Sequence, residues 1–234
     1  MLNWTAKLNG LLNLFLESRC LLCQRATPKE FCQDCQFQLQ SCQIPDPKKL
    51  WQGELPVFAW GIYGGAIKRA LKVLKYEKKP QIAQPLGYWL GEAWLKSGVS
   101  DSRKLSVVPI PLHSTKQQDR GYNQAELLAE SFCQLTGLSL QRYGLERIRQ
   151  TKSQFELSEA ERKQNLASAF KLGKGFSHRR SDSPILLLDD IYTTGATVKS
   201  AADTLRQHGI EVYGIVAIAT SGQSISLPRR QILP

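Results

Sequence analysis

Residues 185–201 read Ile185-Leu186-Leu187-Leu188-Asp189-Asp190-Ile191-Tyr192-Thr193-Thr194-Gly195-Ala196-Thr197-Val198-Lys199-Ser200-Ala201. Four apolar residues end in two adjacent carboxylates, and a short loop of Thr and Gly leads into a helix-forming segment. The apolar run suits a buried parallel strand. Small residues at the start of the helix leave free backbone N–H groups to hold an anion. Thr193, Thr194 and Thr197 add hydroxyl donors, and Gly195 lets the backbone approach a phosphate closely. Asp189 and Asp190 stand at the carboxyl end of the strand, where open α/β sheets bind ligands. Acids beside a phosphate cradle suit a sugar phosphate, the acids taking ribose hydroxyls or a magnesium ion and the amides a 5′-phosphate. An ordinary strand-turn-helix with capping threonines is the alternative, but a turn needs neither the acid pair nor the Gly-Thr spacing.

The segment resembles the PRPP-binding motif of type I phosphoribosyltransferases (PRPP is phosphoribosyl pyrophosphate). In that family two bulky apolar residues precede Asp/Glu-Asp, and Thr-Gly-x-Thr follows; here Leu187 to Thr197 fills every signature position. The resemblance implies an α/β fold, a parallel twisted sheet flanked by helices. It also implies a PRPP site made of Asp189, Asp190, Tyr192, Thr193, Thr194, Gly195, Ala196 and Thr197, with Mg2+ accompanying PRPP. The motif alone does not separate an enzyme from a PRPP-sensing regulator.

The chain has 234 residues, enough for one α/β domain plus a small module. No apolar run approaches the roughly 20 residues of a membrane span. The N-terminal LLNLFL stretch is short and lacks a small-residue cleavage site, so it reads as an amphipathic helix rather than a signal peptide, and the expected location is cytoplasmic. Formal net charge is +11, which fits a polyanionic ligand, nucleic acid or an acidic partner. Residues 1–50 carry six Lys/Arg and four Asp/Glu, so most of the excess lies in the main domain.

Cys20-x-x-Cys23 and Cys32-x-x-Cys35 form two CxxC pairs eight residues apart. Each offers two thiolates from a tight turn, and together they complete a tetrahedral site for a structural Zn2+ with no open position. Disulfides are the alternative, disfavoured in a chain without a secretory signal. Four thiolates and one dication are formally −2, which brings residues 1–50 near neutrality. That weakens the idea that this module alone grips DNA, because phosphate neutralisation supplies most non-specific affinity. Cys133 reads as a buried small hydrophobe and Cys42 as a weaker alternative ligand.

Residues 1–45 are expected as an N-terminal helix (1–16) and zinc finger, 46–56 as a linker rich in Pro, and 57–234 as the main domain. Strands are expected at 57–63, 105–110, 185–189 and 211–219, and helices at 66–75, 81–97, 118–135 and 195–208. Lys68 and Lys72 form a solvated stripe, whereas Lys75 stands where its helix yields to a loop. Residues 138–157 read as a polar, basic excursion, and Ser158-Glu159-Ala160-Glu161 as a capping box opening a short helix. Alternating strands and helices imply a parallel sheet.

VPIPLH (108–113) ends a strand in a Pro-x-Pro pair that stiffens the backbone and removes amide donors. RGYNQAELLA (120–129) follows, and a Gln…Leu-Ser-x-Ala-Glu-Arg…Asn…Ala-Phe pattern occurs over 154–170. With the double CxxC, this order resembles the ComF family of competence-associated phosphoribosyltransferase-like proteins over nearly the whole chain. One departure is Lys78-Lys79, where many relatives carry a glycine. The resemblance implies pyrophosphate binding by Pro111, Leu112 and His113 with Arg120, to which Lys75 is added. It implies a flexible loop over 147–163 in which Lys152 and Arg162 are the candidate catalytic cations. A solvated charge is the alternative for both. No base for an acceptor stands out. Three functions are therefore expected in competition: a phosphoribosyltransferase acting in DNA uptake, a non-catalytic PRPP-sensing adaptor, and a single-stranded DNA-binding competence factor. A competence helicase or other DNA-uptake factor is the partner implied by family analogy.

Overall fold

The strand whose sequence is an uninterrupted apolar run lies in the middle of the sheet. The computed structural model describes residues 18–99, 104–149, 169–176 and 183–221. In chain order these form helix α1 (Gln33–Gln40), a 3-10 turn (Pro47–Leu50), strand β1 (Val57–Ile62), helix α2 (Gly65–Tyr76), a second 3-10 turn (Pro80–Ile82) and helix α3 (Ala83–Ser97). Then come β2 (Ser106–Pro109), α4 (Ser114–Arg120), α5 (Gln124–Thr136), β3 (Ser139–Leu140), β4 (Leu145–Arg147), β5 (Phe170–Leu172), β6 (Ile185–Tyr192), α6 (Ala196–Gln207) and β7 (Val212–Thr220). The expected N-terminal helix, the 158–161 capping box, Lys152 and Arg162 lie outside the described residues.

Five strands form one sheet in the order β1-β7-β6-β2-β3, and every neighbouring pair is parallel. A parallel sheet must be covered on both faces. Alternation along β6 shows how this is done. Leu186 and Leu188 join one cluster with Ile67, Leu71 and Leu74 of α2, Leu86, Leu90 and Trp94 of α3, and Leu128 and Phe132 of α5. Ile185 and Leu187 join the other, with Val198, Ala201 and Leu205 of α6 and with Leu145, Phe170 and Phe176. The α/β architecture is thus the one expected, a parallel sheet flanked by helices with a small four-cysteine module attached.

Three local expectations change. The helix expected over 118–135 is two helices, because Gly121 takes a left-handed conformation (φ 85°) that closes α4 and Asn123 caps α5 by accepting from the Ala125 N–H at 3.1 Å. The α4 stretch Ser-Thr-Lys-Gln-Gln-Asp-Arg has no apolar residue, so apolar spacing does not reveal the break. The start of the polar excursion is ordered: β4 pairs antiparallel with β5 and Leu145 is buried against the second cluster. Strand β6 continues past residue 189 to Tyr192, so both acids lie inside it, Asp189 opposite Ala217 of β7.

The cysteine module sits against α2. Cys20, Phe31, Cys35 and Leu39 belong to the same apolar cluster as α2 and α3. Arg69 of α2 donates to Gln38 Oε1 at 3.2 Å, and Lys79 donates to the Leu21 carbonyl at 3.2 Å. Lys68 and Lys72 are exposed, and Cys133 is buried, as expected. Among the described residues no helix is long and apolar enough to cross a membrane.

Candidate functional site

Asp190 is 4% exposed and is held from two helices. Lys75, at the end of α2, forms an ion pair with its Oδ2. Gln124, at the start of α5, brings its Nε2 to 3.5 Å from Oδ1, while the Gln124 Oε1 accepts from Arg120. Arg120 also lies over the ring of Tyr76, 5.8 Å from its centroid. Tyr122 Oη donates to the Leu74 carbonyl, tying the end of α2 to the α4–α5 junction. Burial alone would lower the Lys75 pKa, but the charge and hydrogen bond of Asp190 outweigh it and raise it.

Asp189 is held differently. Its Oδ1 accepts from the Asp190 backbone N–H at 2.8 Å. Burial, and then the Asp190 charge beside it, push its carboxyl well above the usual range, and Lys75 only partly opposes them. The next turn is the cradle. Gly195, at φ 77°, caps α6, and a Cβ there would lie 2.6 Å from Tyr192 Oη, so the position admits only glycine without a shift. A hollow of about 30 Å³ opens beside it, lined by Asp189, Tyr192, Thr193, Gly195, Ala196 and Thr197. The Asp189 carboxyl, hydroxyls and the positive end of a 12-residue helix therefore converge on one small space.

The 111–113 loop borders a second, larger space. Ile110 N–H bonds the Leu188 carbonyl at 2.9 Å, so this loop leaves the sheet beside β6. Asn123 Nδ2 donates to the Ile110 carbonyl at 3.0 Å and fixes its start. His113 caps α4, its Nδ1 accepting from the Thr115 N–H at 3.4 Å and sharing a hydrogen bond with Thr115 Oγ1 at 2.9 Å. A cleft of about 390 Å³ is lined by Pro111, Leu112, His113, Glu126, Arg142 and Arg147, among others. Arg147 is bridged to His113 through the backbone and stands 5.4 Å over the Phe170 ring. Burial lowers the Arg147 pKa while the charge of Asp189 opposes the shift, so cleft and acid pair share one field. Burial and then Glu130 raise the Glu126 carboxyl, against the pull of Arg142 at 3.4 Å.

Of the residues expected at the site, Asp189, Tyr192, Thr193, Gly195, Ala196 and Thr197 line the hollow and 111–113 the cleft, whereas Asp190 and Thr194 line neither. Lys75 and Arg120 line neither; they face Asp190 and Gln124. Two participants were missed in the sequence. Gln124 stands inside the RGYNQ motif, which hinted at it. Arg147 opens the basic stretch but had no spacing cue to mark it.

The four cysteines converge as expected. The Sγ atoms of Cys20, Cys23, Cys32 and Cys35 all lie within 4.8 Å of one another, and Cys23 and Cys32 are 3.5 Å apart. A tetrahedral ion with bonds of about 2.3 Å needs sulfurs about 3.8 Å apart, so the set can hold a metal such as zinc. All four are free thiols rather than disulfides. Arg25 Nε donates to Cys23 Sγ at 3.4 Å and draws that thiol down to about 6, while burial and the neighbouring sulfurs push Cys35 up to about 12. Arg69 reaches Cys35 Sγ at 3.8 Å, so two guanidiniums border the cluster. Cys42 stays outside it, bonding the Gln38 carbonyl at 3.4 Å.

No family model matches the chain. Among curated proteins it is 33% identical over 117 residues to Competence protein F of Haemophilus influenzae, a match spanning 49% of each chain, about half the length of that relative. It is 28% identical over 199 residues to DNA utilization protein YhgH of Escherichia coli K12, covering 81% of this chain and 85% of that one. Competence protein ComFC of Bacillus subtilis is 29% identical over 194 residues, at 81% and 72% coverage. Among solved structures, a hypoxanthine phosphoribosyltransferase from Staphylococcus aureus overlaps loosely, at 19% identity and TM-score 0.34 over 60% of this chain and 62% of that one. By sequence the chain is thus similar to curated competence and DNA utilization proteins, two of them matched over most of its length.

Proposed function

We propose that this protein binds PRPP through residues 189–197 and acts in the handling of DNA during uptake, as a phosphoribosyltransferase-like protein. One observation carries the reading: Asp189, in the second half of the central strand, stands beside a glycine cradle at the start of α6. The cradle amides and Thr193, Thr194 and Thr197 would take the 5-phosphate. Asp189 would take a ribose hydroxyl or share a magnesium ion, and that ion, when bound, would neutralise charge developing on pyrophosphate. The cleft lined by His113 and Arg147 would take the pyrophosphate. In a turnover the ribose C1–O bond to pyrophosphate breaks and an acceptor nucleophile takes its place, with these cations stabilising the departing anion.

The same geometry favours a second reading, binding without turnover. The cleft carboxylate Glu126 is already engaged by Arg142, and His113 is engaged by Thr115, so neither stands ready as an acceptor's base. The names of the relatives speak of DNA and competence. Single-stranded DNA is the polyanion that the net charge of +11 would favour, and such binding would fall steeply with salt. The four cysteines would hold a structural zinc.

Calorimetric titration with PRPP, with and without magnesium, tests the reading. Magnesium-dependent micromolar binding that disappears in an Asp189→Ala/Asp190→Ala variant, with the fold retained, is the expected result. Binding that survives this double substitution would remove the site. Pyrophosphate release with candidate acceptors then separates enzyme from sensor.

A further inference from the structure

Helix α2 carries three lysines, Lys68, Lys72 and Lys75, and only Lys75 is turned inward. Its ammonium rests on Asp190 Oδ2, with side chains 18% and 6% exposed. We infer that Lys75 is a positioning residue of the proposed sugar-phosphate site, holding Asp190 in place and touching no phosphate itself. The inference rests on the PRPP reading above.

Three observations carry it. Lys75 lines neither the hollow at Gly195 nor the cleft at His113. Its helix is pinned along its length: Arg69 bonds Gln38, Tyr122 bonds the Leu74 carbonyl, and Lys79 beyond the helix end bonds the Leu21 carbonyl. A swing toward a ligand would leave Asp190 buried and uncompensated, a strongly unfavourable state. The Gln124 amide contacts the other oxygen of Asp190, so the carboxylate is oriented from α2 and α5 at once. With Asp190 neutralised, the acid pair presents one open charge rather than two. A phosphorylated sugar then meets less repulsion, and Asp189 is the carboxylate left to it.

Separate titrations of the full chain with ribose 5-phosphate and with inorganic pyrophosphate, magnesium present, distinguish this from direct anion binding. Lys75→Met should weaken ribose 5-phosphate about 10-fold or more and change pyrophosphate by no more than about 2-fold, and Lys75→Arg should restore most of the loss. Weakened pyrophosphate with unchanged ribose 5-phosphate would overturn the inference. If Lys75→Met alone does not fold, the charge-neutral Lys75→Met/Asp190→Asn pair replaces it. Its ribose 5-phosphate affinity should equal that of Asp190→Asn, because Lys75 acts only through Asp190; a further loss would overturn the inference. A wild-type chain that binds pyrophosphate but not ribose 5-phosphate would instead bring down the sugar-phosphate reading itself.

Discussion

The cysteine cluster and the acid loop are both tight turns crowded with like charge, yet they are held in shape by opposite means. The acid loop grows out of β6, whose residues 185–188 are fully buried between two layers of helices. The cysteine turns have only Phe31, Leu39 and two of their own sulfurs buried, beside an isolated bridge between Arg19 and Ala26. One region has its order supplied by the scaffold and waits for a ligand. The other has little buried scaffold, and an ion held by its four sulfurs would supply much of its order.

Metal removal should produce the largest effect. Structural zinc contributes apparent binding energies of about 10–16 kcal/mol in small cysteine modules. Chelation, or Cys35→Ser, should expose the amides of 20–39 to hydrogen exchange while those of 185–188 stay protected. Equal protection in both regions after complete metal removal would erase the contrast. Gly195→Ala acts next, and on the scaffolded side. A side chain at φ 77° in contact with Tyr192 should cost about 1 kcal/mol or more of stability and at least about 10-fold in PRPP affinity, read by thermal melting and calorimetry.

A smaller effect with the opposite sign on stability sharpens the point. The Asp189 carboxyl is raised in the fold, so the native state holds its proton more tightly than the unfolded chain does. Between the ordinary carboxylate value and the raised one, stability falls as pH rises; below both values the effect is gone. Asp189→Asn should therefore melt higher than wild type at neutral pH, lose that advantage below about pH 4, and bind PRPP poorly at both. A lower melting point at neutral pH would contradict the assignment. Smallest is Lys72→Ala, on the solvated stripe, which should move stability by less than about 0.5 kcal/mol and leave the melting curve in place.

Much of this was legible in the residues themselves. Four consecutive apolar residues announced a central strand, and the CxxC pairs announced one cluster, because both messages are local. Lys75 and Asp190 are far apart in sequence, and their meeting depends on how α2 lies on the sheet, so a lysine assigned to pyrophosphate turned out to face an acid. The break at Gly121 was hidden because α4 carries no apolar residue whose spacing could mark its end. Arg147 offered only its charge, and a charge alone does not say whether it faces water or a site.

Trp51 decides where this chain can be cut. Its indole packs edge-on against Trp94 at 5.3 Å and beside Tyr213 at 5.4 Å. It fits because β7 has a glycine beneath it: a Cβ on Gly214 would stand 2.4 Å from Trp51 Cη2. Pro56 accepts from the Ile215 N–H at 2.9 Å and carries the backbone onto the same strand. A protein trimmed to begin at residue 57 would thus lose a piece of its own interior along with the metal module. The gap left over β7 would be the size of an indole, rimmed by Trp94 and Tyr213, and such a fragment should precipitate. The practical boundary for a minimal soluble form therefore lies upstream of Trp51.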